Sequence, residues 1–218
     1  MKGPIMRHLL RLPIPVLLLG AGPALAHHPL AGLPMETGAQ GLLSGLAHPV
    51  LGFDHLFFVL AVGVAAVLTG WRVAAPLAYV AAMLAGCGLA LAGLNLPLVE
   101  AVIAASLLVL GGLILSGRVL VPGVVLVLFA GFGLFHGAAF ASGIIGAEGA
   151  APVPVQLGYL LGLGAVQYAL ALAAGTVAMA AKAERVRLAG AMVAGVGLFL
   201  SLEAMEAPLV ALITHVAG

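Results

Sequence analysis

Long apolar runs separated by short polar breaks form the dominant pattern along this chain. A helix that crosses the hydrocarbon core of a bilayer needs ~20 mostly apolar residues. The runs are continuous rather than alternating, which favours helices over the strands of a membrane β-barrel. The pattern predicts an all-α polytopic membrane protein whose membrane domain, residues 46–218, is a six-helix transmembrane bundle. The predicted spans lie near 46–68, 73–94, 98–116, 119–141, 153–181 and 188–214.

The composition narrows the class of protein further. Of 218 residues, 64% are hydrophobic and 7% are charged, whereas a soluble domain is about 45–50% apolar and about 25% charged. So few charges cannot cover a water-soluble globule of this size. The composition therefore excludes a soluble enzyme, a nucleic-acid binder and a disordered tail, and makes the lipid bilayer the expected surroundings. The 31 glycines are typical of helices that pack closely through small residues.

The first 26 residues have the pattern of a secretory signal peptide. Basic residues precede a short, proline-containing apolar stretch, and Ala24-Leu25-Ala26 is a small-x-small cleavage pattern. Cleavage would leave a chain that begins at His27-His28 and a periplasmic lead-in over residues 27–45. An uncleaved N-terminal anchor is the alternative. Whether His27 and His28 capture metal or are an inert surface pair stays open.

The placement of basic residues predicts the orientation of the bundle. Loops on the cytoplasmic side contain an excess of Lys and Arg. After the signal peptide, the basic residues fall only in the first, third and fifth connections between spans: Arg72, Arg118, Lys182, Arg185 and Arg187. We therefore expect these connections in the cytoplasm, and both mature termini in the periplasm of a bacterium with this chain in its inner membrane.

Ionisable side chains inside the spans are the strongest functional signal. Such groups are costly in hydrocarbon and normally face a bundle interior or a wet path. On a straight first span, His48 and His55 would share one helix face about two turns apart, with Asp54 beside His55. His136 lies near the end of the fourth span, in the same outer half of the bundle.

Imidazole and carboxylate ligands suit borderline divalent ions such as nickel, cobalt, zinc and copper. We therefore predict a metal site formed by His48, Asp54, His55 and His136. Glu100 and Glu203 are candidates for groups that support the metal ligands from behind or that exchange protons during transport. A packing role for His136, and a proton relay or structural pair for Asp54 and His55, are the alternatives.

Two segments resemble the signatures of the HupE/UreJ hydrogenase and urease accessory proteins. The stretch His48-Pro-Val-Leu-Gly-Phe-Asp54-His55 is similar to the first signature, and Phe135-His136-Gly-Ala-Ala139 is similar to the opening of the second. The family pattern continues with His, Gly, any residue and Glu. Here those positions hold Phe140, Ala141, Ser142 and Gly143, so two potential ligands are missing.

The resemblance implies a secondary permease, not an enzyme, for nickel or cobalt, which supplies metalloenzyme assembly. The ion would be cargo, with no permanently bound cofactor. An intramembrane metal hydrolase and a non-transporting partner of metalloenzyme maturation are the alternatives. The metal, the coupling ion, a homo-oligomeric state and contacts with maturation proteins stay open.

Overall fold

The computed structural model of the protein describes residues 35–146 and 149–217, which form a helical bundle. The predicted signal peptide, His27 and His28 lie outside this range. The helices are α1 (Gly38–Leu51), α2 (Phe53–Thr69), α3 (Ala74–Leu91), α4 (Val99–Ser116), α5 (Pro122–Ala141), α6 (Val153–Ala180) and α7 (Ala183–Ala217). Between α5 and α6, strands β1 (Ile145–Gly146) and β2 (Gly149–Ala150) pair antiparallel.

The helices confirm the all-α membrane class. Within the described ranges, five helices, α3 to α7, are long and apolar enough to cross a bilayer. They correspond to the predicted second to sixth spans. The pair α1–α2 makes a sixth span if its two bent halves are counted as one. The last helix begins at Ala183, so most of the predicted final connection is its first turn.

The predicted first span is not one straight helix. It is two helices that meet at Gly52 with a bend of 83°, and helical structure begins at Gly38 rather than near residue 46. Pro49, inside the last turn of α1, has no amide hydrogen for the helix ladder. Gly52 is extended, and a Cβ there would lie 3.0 Å from the His55 ring. The expectation that His48 and His55 share one helix face is therefore wrong, because the break lies between them.

Small residues bring the helices into three close pairs. A Cβ at Gly45 would overlap the backbone of Tyr159, and one at Gly137 would overlap that of Met83. The order of these close contacts shows that α1 runs parallel to α6 and that α3 runs parallel to α5, whereas α4 and α7 are antiparallel. These directions agree with six spans that alternate across a bilayer when α1–α2 is counted as one.

One end of the bundle, here called the basic end, holds Arg72, Arg118, Lys182, Arg185 and Arg187. The Arg72 guanidinium contacts the sulfur of Met179 at 3.1 Å, and Arg187 Nε donates to the carbonyl of Leu115 at 3.0 Å. A backbone hydrogen bond of 3.2 Å joins the α4–α5 connection to the end of α2. The connections α2–α3, α4–α5 and α6–α7 thus meet at one end, away from the break at Gly52.

Candidate metal centre

His55 and His136 contact each other in the interior of the bundle, although 81 positions separate them. Their Nδ1 atoms are 3.1 Å apart, and the two residues are 4% and 0% exposed. His55 is in the first turn of α2, immediately after the break, and His136 is on α5. For metal–nitrogen bonds of ~2.0–2.1 Å, two neighbouring ligands of one ion lie about 2.8–3.4 Å apart. The separation of these nitrogens is therefore suitable for a shared ion.

Ser106 of α4 fixes the second nitrogen of His136. The Ser106 hydroxyl donates to the carbonyl of Ile103 at 2.6 Å, and its oxygen lies 3.0 Å from His136 Nε2. A hydroxyl has one hydrogen, so it must accept from Nε2–H of His136. The lone pair of His136 is then on Nδ1, which faces His55, and in the ion-free state His55 Nδ1 donates to it. A partner that orients the outer nitrogen is a common feature of metal-binding histidines.

His48 lies near this pair but bonds a different group. The hydroxyl of Tyr159 on α6 donates to the carbonyl of Phe140 at 2.8 Å and lies 2.6 Å from His48 Nδ1. By the same counting of hydrogens, His48 Nδ1 donates to Tyr159, and the lone pair of the neutral imidazole is on Nε2. The ring centroids of His48 and His55 are 6.1 Å apart. The break thus brings both imidazoles to one region, where their rings meet edge-on.

Aromatic rings surround the imidazoles. The ring of Phe140 lies 5.1 Å from that of His48 and 4.2 Å from that of His55, while Phe58 stacks on His136 at 4.0 Å. Beyond them, a Cβ at Gly143 would lie 2.7 Å from His48 Nδ1. The two positions at which a potential ligand of the family pattern is missing, 140 and 143, therefore both lie against the histidines.

Asp54 is the carboxylate next to the pair. Its Oδ2 is 3.8 Å from His55 Nδ1, and its side chain is 18% exposed. In this arrangement, no group of three His, Cys, Asp or Glu side chains within residues 35–146 and 149–217 is placed to hold one metal ion. The His55–His136 pair is therefore preformed, whereas ligation by Asp54 or His48 requires a side-chain movement.

Glu100 and Glu203 lie on a cavity that also reaches Asp54. The cavity has a volume of about 170 Å³, and its wall consists of Asp54, Glu100, Ile103, Leu200, Glu203 and Ala204. These residues come from α2, α4 and α7, at the end of the bundle that we call the acidic end. A cation in this cavity would meet three carboxylates before the buried imidazoles.

The sequence pattern identified neither Ser106 nor Tyr159 as part of the site. Both are buried hydrogen-bonding groups that hold a histidine. A single serine or tyrosine in an apolar run is a weak signal, because serine can bond its own helix and tyrosine commonly packs in cores. Only the contact between helices identifies their role.

Comparisons with known proteins agree with the signatures. The family model described as HupE / UreJ protein matches residues 15–200. Protein HupE of Rhizobium leguminosarum bv. viciae is 36% identical over 117 residues, which cover 52% of this chain and 61% of that protein. The match thus spans about three fifths of the relative's length, and no solved structure matches this chain. Since the family model covers most of the chain, the protein belongs to the HupE/UreJ family of hydrogenase and urease accessory proteins.

Proposed function

We propose that the protein is an inner-membrane secondary permease for a divalent transition-metal ion, with nickel preferred and cobalt as the second choice. The observation on which this depends is the buried His55–His136 pair, whose Nδ1 atoms face each other at 3.1 Å from two different helices. Imidazole is a ligand type that suits nickel, cobalt, zinc and copper, and the preference for nickel comes from the family.

The acidic cavity provides the access route. Its three carboxylates, Asp54, Glu100 and Glu203, attract cations and exclude anions by simple electrostatics. Asp54 is also the carboxylate beside the pair, at 3.8 Å from His55 Nδ1. The ion would pass from hydrated carboxylates to imidazole nitrogens as it enters the bundle.

The pair suits transport better than permanent storage. Two neutral imidazoles and one mobile carboxylate form a small ligand set, from which an ion can leave. Binding at both Nδ1 atoms also requires the hydrogen between them to leave His55 Nδ1, because a ligand nitrogen needs its lone pair. Ion binding and proton movement are therefore linked at this site, which supports a proton-coupled or potential-driven permease.

The family supports a role in metalloenzyme assembly. The Rhizobium relative is named Protein HupE, and we propose that this chain supplies metal to hydrogenase or urease maturation. Maturation proteins on the cytoplasmic side would receive the ion. The basic end would then be cytoplasmic and the acidic end periplasmic, in line with the charge rule for membrane loops.

The test is uptake of radiolabelled nickel by cells that lack their own high-affinity uptake system, with and without this chain. Asp54→Asn should reduce the uptake rate at least tenfold, because it removes the carboxylate beside the pair. Glu184→Gln is the matched control, since Glu184 lies in the first turn of α7 near the basic end, and it should retain the rate. Rates are normalised to the amount of protein in the membrane. No uptake above background with the unmodified chain would refute the proposal.

A further inference from the structure

A second polar pair lies deeper in the bundle than the histidines. Tyr79 of α3 and Gln167 of α6 are both fully buried, and the Tyr79 hydroxyl donates to Gln167 Oε1. The surrounding helices are apolar throughout this region, so the pair is not a surface feature. Neither residue belongs to the His55–His136 site or to the acidic cavity.

The amide nitrogen of Gln167 has no hydrogen-bond partner among the described residues. Buried donors are nearly always paired with protein or ordered water, and an unpaired one is unfavourable. If the amide oxygen and nitrogen exchanged places, one polar atom of Gln167 would still be unpaired, because only one of the two faces Tyr79. The side chain therefore has the capacity to hold a further polar group, of which water is the smallest.

The pair continues the line of polar groups from the acidic end toward the basic end. The ring of Tyr79 is 6.5 Å from that of His136. Further along α6, a cavity of about 350 Å³ opens at the basic end, with Arg72, Val73, Leu172, Gly175, Thr176 and Met179 in its wall. Along α6, Gln167 thus lies between Tyr159, which contacts His48, and the residues that line this second cavity.

We infer that Tyr79 and Gln167 form a second, hydrated station on the route of the cation, where oxygen atoms and water replace the imidazole ligands. The amide donor of Gln167 holds a water oxygen, while the amide and phenol oxygens accept hydrogen bonds from water bound to the ion. Both side chains are neutral, so an ion is held weakly and leaves readily toward the basic end. This inference rests on the proposed transport function.

The alternative is that the pair only ties α3 to α6. A double variant distinguishes the two roles. Tyr79→Phe with Gln167→Leu removes both polar groups and keeps similar shapes, an exchange that is often close to neutral for stability. A purely structural pair predicts normal transport in a folded variant, whereas a station predicts loss of transport with the outer site intact.

The matched control is Gln156, a second glutamine of α6 that lies roughly 16 Å along the helix from Gln167, changed to Leu. Gln156 Nε2 donates to the carbonyl of Ala151 at 2.6 Å, in the connection before α6, remote from the proposed route. Two quantities are measured for the unmodified chain and the variants: nickel uptake per membrane protein, and nickel binding to purified protein in detergent by titration calorimetry. Thermal midpoints report whether each variant is folded.

The station predicts that the double variant loses uptake at least tenfold, while its nickel affinity and thermal midpoint stay close to those of the unmodified chain and of Gln156→Leu. Uptake within twofold of the unmodified chain would overturn the inference. Equal losses of binding and uptake would also overturn it, because the pair would then act through the histidines. If the double variant does not accumulate, Tyr79→Phe alone is subject to the same criteria. An unmodified chain that neither binds nor transports nickel would refute the proposed function itself and, with it, the station.

Discussion

Hydrogen-bond donors and acceptors decide what the buried histidines can do. The single hydrogen of Ser106 is used on the Ile103 carbonyl, so its oxygen accepts from His136 and directs the lone pair of that imidazole toward His55. Tyr159 has the same effect on His48 and directs its lone pair to Nε2. The neighbours of the histidines, rather than the histidines alone, therefore define the candidate site.

The contact between His55 and His136 predicts strong non-additivity. Substitution of either residue by Ala should reduce nickel uptake at least tenfold. Uptake by the double variant should be within about twofold of uptake by the less active single variant, because loss of one ligand already empties a shared site. Residues with a shared partner depart from additivity in this way. Losses that multiply would indicate two separate sites.

Phe140 packs against both His48 and His55, with ring distances of 5.1 Å and 4.2 Å. An imidazole at this position would lie beside both histidines and offer a further ligand. We therefore expect Phe140→His to raise the nickel affinity of the purified protein at least tenfold, as measured by calorimetry. Phe140→Leu, which stays apolar, should not raise it. Equal affinities for these two variants would show that position 140 does not face the ion.

At the scale of elements, the break at Gly52 and the close helix pairs position the site. The spans were predictable from sequence because about 20 apolar residues are needed to cross a bilayer, and the second to sixth runs satisfy this rule. The break at Gly52 was not predictable from sequence, because Pro49 and Gly52 lie inside one continuous apolar run. Whether such a run bends depends on how its two halves pack against other helices. The contact of His55 with His136 also depends on packing between helices that are distant in sequence, which a linear pattern does not contain.

Gly45 tests the role of close packing, because a Cβ there would overlap the backbone of Tyr159. Gly45→Ala should separate α1 from α6, lower stability by ~1–3 kcal/mol as overpacking does, and weaken the contact of Tyr159 with His48. Gly195→Ala is the matched control, since no atom within 4 Å would meet its Cβ. Unfolding in detergent with increasing denaturant gives the stabilities. A Gly45→Ala variant as stable as the control would show that α1 does not need this approach.

At the scale of the whole molecule, charge and polar groups are distributed unevenly between the two ends. Carboxylates line the cavity at the acidic end, whereas the basic residues of three connections meet at the other. The three helix pairs fit an alternating six-span arrangement. Under the proposed function, a cation attracted at the acidic end would move through the bundle toward the basic end.

This arrangement predicts the position of the C-terminal end relative to the membrane. Alkaline phosphatase fused after Gly218 should be active, because the enzyme matures only in the periplasm, and a fusion at Arg118 should be inactive. The activities are normalised to the amount of fusion protein. The reverse result at the two positions would require an inverted bundle.

Transport by the purified chain alone tests most directly whether the protein is a permease. The protein is reconstituted in liposomes that contain a nickel-sensitive fluorophore, and nickel is added outside with a proton gradient or a membrane potential across the bilayer. We expect quenching that depends on the chain and falls at least tenfold for the His55→Ala and His136→Ala variants. Liposomes that stay unquenched under either driving force, with nickel still bound to the reconstituted protein, would contradict a permease and favour a non-transporting accessory role.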